Sequence, residues 1–110
     1  MSIIVIGSSN TDMVVTVPHI PTTGETILGN SFSIHKGGKG ANQAVAAARA
    51  GGDVTFIASI GADTFGDKAI QAFQNDGINT QYIIRETKTS GVALIMVNND
   101  GKNCIAVSPE

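Results

Sequence analysis

The feature that most constrains the fold is a cluster of glycines that opens an alanine-rich segment. Gly37-Gly38-Lys39-Gly40 precedes residues 41–50, six of which are alanine, and Gly51-Gly52 follows them. Alanine has the highest helix propensity and glycine commonly ends helices, so we predict a helix over Ala41 to Ala50. Its small side chains would let it lie close against a sheet. The next apolar segment, Val54 to Ile60, would then complete a right-handed βαβ crossover with the chain's first apolar run.

That first run, Ile3 to Ile6, is continuous and β-branched, which is typical of a strand buried in a parallel sheet. Roughly thirty residues separate it from the helix, far more than a usual βα loop contains. Two extended segments fill this surplus, Met13 to Val17 and Glu25 to Ile34, and the loop between them contains prolines and a glycine. We therefore predict an inserted β flap over residues 13–35.

The rest of the chain continues the alternation of helices and strands. A second helix fits Phe65 to Asn75, with Asp63 or Thr64 as its cap. Further strands are predicted at Gln81 to Arg85, Gly91 to Val97 and Asn103 to Val107, with an Asn98-Asn99-Asp100-Gly101 turn before the last of them. The pattern as a whole predicts one α/β domain, a parallel sheet flanked by helices.

Charge and composition argue against several classes of function. The 110 residues carry seven basic and nine acidic side chains, and no basic run could neutralise a nucleic-acid backbone, so nucleic acid is not an expected partner. The apolar opening stops at Gly7, too early for a secretory signal or a membrane span. This favours a cytoplasmic protein with no membrane partner. The single cysteine, Cys104, has apolar neighbours and is expected to be a buried structural thiol.

The glycine cluster is the first candidate binding site. Glycines without Cβ atoms let a ligand approach the backbone, and a helix start presents unpaired N–H donors. Lys39 and Asn42 are three residues apart and would project on one side of the helix as a cation and an amide. A glycine-rich helix cap with an exposed lysine is the alternative. No serine or threonine follows Gly38-Lys39, so this segment is not a Walker phosphate loop.

Asn10 and Asp12 form the second candidate site. They come just after the first strand, and open α/β sheets bind ligands beyond the carboxyl ends of their strands. Their i, i+2 spacing lets both side chains face the same crevice, where a carboxylate accepts and an amide both donates and accepts hydrogen bonds. An Asx-turn that closes the loop is the alternative. Taken together, the two sites would suit a polyol.

Several separated motifs resemble those of the PfkB carbohydrate kinases. Residues 37–61 are similar to the first sequence signature of that family, while Gly24-Glu25-Thr26 and the segment Gly7 to Asp12 resemble the ribokinases within it. The resemblance runs through about residue 107. It implies a ribokinase-like α/β fold in which residues 13–35 form a β lid that closes over a sugar and pairs with a second lid in a homodimer. It also implies five sugar-binding residues: Asn10, Asp12, Gly38, Lys39 and Asn42.

The resemblance also implies a reaction for which part of the family's machinery is missing here. Family members transfer the γ-phosphoryl group of ATP to a sugar hydroxyl, for ribokinases the primary hydroxyl of D-ribose, with Mg2+ and a monovalent cation such as K+. Their catalytic aspartate lies in a later Gly-Ala-Gly-Asp motif, which this chain lacks. Gly61-Ala62-Asp63 does not match that motif, and Asp63 is better interpreted as a helix cap. We therefore expect no catalytic residue and no ATP site within these residues.

The expected function is accordingly the sugar-binding N-terminal part of a ribokinase. The alternatives are a non-catalytic sugar-binding or dimerisation fragment and a related kinase such as a deoxyribokinase. No metal site is predicted, because His19 and His35 have no further ligand at suitable spacing. The N-terminal part of such a fold is expected to be incomplete and to leave a sheet edge and an apolar face uncovered. We therefore expect the chain to associate with a C-terminal kinase portion or with a second copy of itself.

Overall fold

The computed structural model describes residues 2–109 as an α/β body joined to a four-stranded sheet. The body contains two helices, α1 (Lys39–Arg49) and α2 (Thr64–Asn75), and four strands: β1 (Ser2–Ile6), β4 (Asp53–Ile57), β5 (Ser59–Gly61) and β6 (Ile84–Glu86). The four-stranded sheet contains the remaining strands: β2 (Asn10–Thr16), β3 (Ser31–Gly37), β7 (Gly91–Val97) and β8 (Asn103–Ser108). The α/β class predicted from the sequence is confirmed.

The body is built on the predicted βαβ unit. Strands β1 and β4 pair in parallel, from Ser2 opposite Asp53 to Ile6 opposite Ile57. Helix α1 immediately precedes β4 in the chain. The core beneath α1 and α2 contains Ala44, Phe56 and Phe73, which are completely buried. The two phenylalanine rings meet edge to face, 5.3 Å apart at an interplanar angle of 84°.

The prediction of a single strand over Val54 to Ile60 is wrong, because the chain changes its strand-pairing partner at Ala58. Before that residue β4 pairs with β1, whereas after it β5 pairs in parallel with β6. The Ala58 carbonyl accepts a hydrogen bond of 2.9 Å from the Ile84 amide and so begins the new pairing. The apolar run is therefore shared between two sheets.

The four-stranded sheet has the order β3-β2-β7-β8. Strand β2 pairs antiparallel with β3 and parallel with β7, and β7 pairs antiparallel with β8. The flap expected over residues 13–35 thus supplies two neighbouring strands of a larger sheet. The Asn98 to Gly101 turn joins β7 to β8 as predicted, with the Gly101 amide 3.0 Å from the Asn98 carbonyl.

Two predicted strands begin later in the structure than in the sequence pattern. Residues 25–30 precede β3 as a loop that starts with a turn, in which the Glu25 amide donates to the Thr22 carbonyl and the Glu25 carboxylate accepts from the Thr22 amide, each at 2.9 Å. Strand β6 starts at Ile84, since Gln81 donates its amide to the Asn79 side chain at 3.0 Å in a local turn. In both places a local turn occupies the residues that begin the predicted strand.

The helix boundaries follow the predicted signals. Helix α2 begins after Asp63, whose carboxylate accepts from the Gly66 amide at 2.9 Å, so the predicted cap is confirmed. Helix α1 begins at Lys39 with Gly38 as its N-cap and no side-chain cap. Its other end is followed by Gly51, which has a φ of +96° as a terminal glycine requires.

Apolar side chains are exposed on both parts of the molecule. On β1, Ile4 and Ile6 are 65% and 76% exposed, and on the four-stranded sheet Phe32 and Leu94 are 63% and 56% exposed. Among the strands within residues 2–109, β1 pairs with β4 alone. An uncovered apolar face and a free strand edge are therefore present, as the sequence indicated. No helix within residues 2–109 is long and apolar enough to cross a bilayer.

Cys104 is exposed, so the prediction of a buried structural thiol is wrong. The residue lies in β8, which forms the outer edge of the four-stranded sheet and is exposed along its whole length. Apolar neighbours in the sequence indicated a strand, but not whether anything covers that strand.

Candidate functional site

The start of α1 packs directly against the turn that follows β1. The Ala41 amide donates to the Ser8 carbonyl at 3.0 Å. Gly38 has a φ of +96°, and a Cβ atom there would lie 2.6 Å from the same carbonyl oxygen. The backbones of Gly7 and Gly40 are similarly close, since a Cβ on Gly40 would lie 2.7 Å from the Gly7 Cα. This contact brings the helix start against the end of the first strand, which side chains at these positions would prevent.

Asn10 and Asp12 lie at the beginning of β2, on the same face of the strand. Asn10 is opposite Gly37 of β3 and Gly91 of β7, and Asp12 is opposite His35 and Ala93. The Asp12 carboxylate reaches over the backbone of Gly37, where a Cβ atom would lie 2.6 Å from Oδ1 and 2.7 Å from Oδ2. The carboxylate is thus placed directly beside the segment that opens α1.

Lys39 and Asn42 occupy the first turn of α1, and both are exposed. Asn42 lines a cleft of about 590 Å3 between β3 and α1, with a floor and walls formed by Ile34, His35, Lys36, Val45, Ala46, Arg49 and Asp76. Among the five candidate sugar-binding residues, only Asn42 lines this cleft. Asp12 adjoins it through its cross-strand neighbour His35. The candidate residues therefore border the junction of the four-stranded sheet with α1 and do not share one closed pocket.

The candidate side chains have no hydrogen-bonding or ionic partner among the described residues. Within residues 2–109, the side chains of Asn10, Asp12, Lys39 and Asn42 make no hydrogen bond or ion pair with another residue. Asn10 and Asp12 are half-buried members of a strand, so the Asx-turn alternative does not describe them. An amide and a carboxylate that are partly withdrawn from water and unpaired have donors and acceptors to offer a ligand.

The two histidines lie outside this junction or at its rim. His19 is 3.1 Å from Glu25 in the exposed loop between β2 and β3, and His35 is 2.9 Å from the Ser33 hydroxyl. The Thr22 backbone N–H, followed by the contact with His19, lowers the pKa of Glu25. Among the described residues, no group of three or more histidine, cysteine or carboxylate side chains could hold a metal ion.

Two further hollows accompany the junction. A pocket of about 230 Å3 lies between the β2–β3 pair and α2, and it is lined by Thr11, Ile34, His35, Lys36, Phe65, Lys68 and Ala69. A groove of about 380 Å3 lies on one face of the four-stranded sheet and is almost wholly apolar, lined by Met13, Val15, Phe32, Leu94, Ile95, Met96, Cys104 and Ala106. We call the latter the apolar groove.

Sequence reasoning missed one polar residue near the junction. Ser90 is 5% exposed, and both its amide and its hydroxyl donate to the Asp63 carboxylate at 2.7 Å. The two residues are 27 positions apart, so no local motif could have paired them. The Ser90 backbone N–H is the largest cause of a lowered pKa of Asp63, and the Gly66 amide and Arg85 charge add to it against partial burial.

Comparison with known proteins identifies similar sequences and structures. The sequence model of the "pfkB family carbohydrate kinase" matches residues 1–110. A ribokinase from Haemophilus influenzae is 44% identical over 105 residues, and a deoxyribokinase from Salmonella typhi is 43% identical over 108 residues. These alignments cover 94% and 97% of this chain but 34% and 35% of the relatives. The chain thus spans about a third of the length of these relatives.

A solved ribokinase structure has a similar fold. The ribokinase of Arabidopsis thaliana, complexed with ribose and ATP, superposes with a TM-score of 0.87 at 31% sequence identity. The superposition covers 96% of this chain and 35% of the plant protein. The four-stranded sheet and the α/β body therefore have their counterpart within a larger fold.

Proposed function

The chain belongs to the pfkB family of carbohydrate kinases, and we propose that it is the sugar-binding part of a ribokinase. In that enzyme the γ-phosphoryl group of ATP is transferred to the primary hydroxyl of D-ribose. The observation that carries the proposal is the half-buried, unpaired Asn10 and Asp12 beside the glycine backbone that opens α1. The Haemophilus influenzae ribokinase and the Arabidopsis thaliana ribokinase complexed with ribose support ribose as the sugar.

The proposed sugar clamp has complementary hydrogen-bonding groups. Asp12 accepts from two vicinal hydroxyls, while Asn10 both donates and accepts. The Asp12 carboxylate already lies over Gly37, so a sugar held by it is next to the backbone of Gly38 and the first turn of α1. Lys39 and Asn42 then add a cation and an amide from that turn. Because Gly37 and Gly38 have no Cβ atoms, the Asp12 carboxylate and the Ser8 carbonyl can lie directly against this backbone.

Catalysis in this account depends on positioning. Phosphoryl transfer requires the attacking hydroxyl to be held in line with the phosphoryl group, while a carboxylate takes up its proton. The residues described here orient the sugar and exclude water from one side of it. ATP, Mg2+ and K+ would be held by the remaining part of a longer family member. The described residues offer no cluster of side chains that fits a metal ion.

The four-stranded sheet is proposed to act as the lid over the sugar. Asn10 and Asp12 lie on the face of β2 opposite to Met13 and Val15, because side chains alternate along a strand. One face of the sheet therefore has polar groups for the sugar at its base. The other face bears the apolar groove, which we propose as the surface for pairing with a second lid in a homodimer.

A chimera tests this function. Residues 1–108 would replace the matching N-terminal third of the Haemophilus influenzae ribokinase, and ADP release would be measured with D-ribose as substrate. We expect ribose-dependent turnover that Asp12→Ala reduces by at least about a hundredfold, since a carboxylate hydrogen-bonding the substrate is lost. Asp53→Ala, at the exposed start of β4, is the matched control and should turn over normally. A fully active Asp12→Ala chimera would contradict the assignment.

A deoxyribokinase is the second candidate, because the Salmonella typhi deoxyribokinase aligns with 43% identity over 108 residues. Isothermal titration of the chain with D-ribose and with 2-deoxy-D-ribose distinguishes the two. A ribose-specific clamp should bind ribose more tightly, since a site built to pair with a hydroxyl discriminates against the sugar that lacks it. Tighter binding of 2-deoxyribose would favour the second candidate. Ribose-dependent ATP hydrolysis by the chain alone would refute the view that it is a non-catalytic part.

A further inference from the structure

The carboxylate of Asp63 makes more contacts than a helix cap requires. Capping α2 needs one bond, which Oδ1 provides by accepting from the Gly66 amide at 2.9 Å. In addition, Oδ1 accepts from the Ser90 hydroxyl and Oδ2 accepts from the Ser90 amide, each at 2.7 Å. Both oxygens are thus used, and two of the three bonds go to a residue outside the helix.

The segment that leads to Ser90 is packed tightly against the body. A side chain on Gly61 would overlap the Ser90 amide and would lie 2.7 Å from the Lys88 carbonyl, so the two backbones are in direct contact. The Arg85 guanidinium donates to the Gly61 carbonyl at 3.0 Å and to Asp67 at 2.7 Å, which fixes the end of β5 to α2. Ser90 is therefore held from two sides and is almost completely buried.

Ser90 immediately precedes the four-stranded sheet at the row that contains the candidate sugar residues. The next residue, Gly91, is the parallel partner of Asn10, and Asn10 is in turn opposite Gly37. This row, Gly91-Asn10-Gly37, crosses three strands where the sheet meets the body. At each of these three residues a strand begins or ends. Among the residues described, a side chain of the body binds the adjoining backbone only at the Gly91 end, where Asp63 accepts from the Ser90 amide.

We propose that Asp63 is a positioning residue that sets where Asn10 and Asp12 stand relative to the start of α1. It does so by fixing β7 to α2 through Ser90, without contacting the sugar. Strand β7 is hydrogen-bonded to β2 along its whole length, from Asn10 opposite Gly91 to Thr16 opposite Val97. A displacement of the first residues of β7 therefore displaces Asn10 and Asp12 together. The inference rests on the proposed sugar-binding function.

Asp63→Asn separates this role from capping. Asparagine is as good an N-cap as aspartate, so its oxygen still accepts from Gly66. Its amide nitrogen is a donor and has no lone pair for the Ser90 N–H. We expect ribose binding about tenfold weaker in the intact 110-residue chain, with the helical circular dichroism of the chain retained. Ser90→Ala removes the hydroxyl bond alone and should weaken binding by about threefold.

Two measurements are needed, the ribose Kd by calorimetry and amide hydrogen exchange by NMR. Faster exchange is expected at Gly91, Val92 and Thr11 in Asp63→Asn, with unchanged exchange at the core residue Phe56. Asp53→Asn removes an equal charge from the far end of β4 and should change neither measurement. A purely structural role would lower the melting temperature of Asp63→Asn and leave the Kd at low temperature unchanged, which would overturn the inference.

The outcomes also separate this inference from the proposed function. If the unaltered chain does not bind ribose, the proposed function fails, and the exchange measurement decides the inference alone. Unchanged exchange in β2 and β7 of both Asp63→Asn and Ser90→Ala would then overturn it. If the unaltered chain binds ribose and both variants bind equally well, the inference fails while the proposed function stands.

Discussion

The body and the four-stranded sheet differ in how they are stabilised. The body encloses Ala44, Phe56 and Phe73 with no exposed surface, beneath two helices. The sheet has extensive backbone pairing but few buried side chains, and its edge strands β3 and β8 are exposed along almost their whole length. The candidate sugar residues belong to the sheet and to the helix start that it meets. Stability is thus assigned to the body, and binding to the junction where the sheet meets it.

The largest expected effect is on stability, and it tests whether the body is more strongly stabilised by side-chain burial than the sheet. Phe73→Ala removes a fully buried ring that packs edge to face on Phe56, and it should lower the free energy of unfolding by about 3–5 kcal/mol. Phe32→Ala is the matched change on the sheet, where the ring is 63% exposed, and should cost about 1 kcal/mol or less. Urea denaturation measures both. Equal losses would show that the sheet contributes as much to stability as the body does.

The next effect concerns the junction between the two regions. Gly38→Ala should cost about 2–4 kcal/mol, because it combines a strained φ with a clash against the Ser8 carbonyl. Gly101→Ala is the control at the tip of the β7–β8 turn, with a φ of +80° and open space around it. That change should cost about 1 kcal/mol from backbone strain alone. Thermal unfolding of the two variants compares them, and an equal loss would mean that the close contact with Ser8 adds nothing.

The smallest expected effect is a pH dependence that originates at the junction. The Ser90 amide, above all, lowers the pKa of Asp63 in the folded protein. Because the folded pKa lies below the unfolded one, this carboxylate stabilises the fold above the unfolded pKa of about 3.9, and its contribution is lost as the pH falls through the folded value. Asp63→Asn should therefore flatten the acid limb of a stability curve measured from pH 7 to pH 2. An acid limb of unchanged steepness would contradict the link.

The sequence predicted those elements whose signals are local. The alanine-rich α1, the Asp63 cap of α2 and the turn at Asn98 were all confirmed, because each is defined by residues a few positions apart. The break at Ala58 could not be predicted, since it depends on pairing with Ile84. The exposure of Cys104 was missed for a similar reason, because burial of a strand depends on its position in the sheet.

The candidate site divides in the same way. Its residue types and their spacing in the sequence indicate Asn10, Asp12, Gly38, Lys39 and Asn42, and the family resemblance assigns them to a sugar. The placement of the Asp12 carboxylate over Gly37 follows from the antiparallel pairing of β2 with β3, a contact between distant residues. The Asp63 to Ser90 link has the same long-range character. Binding of a sugar by these residues stays a prediction.

The most direct test of the account is an NMR titration of the isotope-labelled 110-residue chain with D-ribose. We predict saturable chemical-shift changes at Asn10, Asp12, Gly38 and Asn42, where the sheet meets α1, and no comparable change in the apolar groove at Phe32 and Met96. Shift changes that are absent at these junction residues, or that concentrate in the apolar groove, would contradict the claim that the junction is the sugar site.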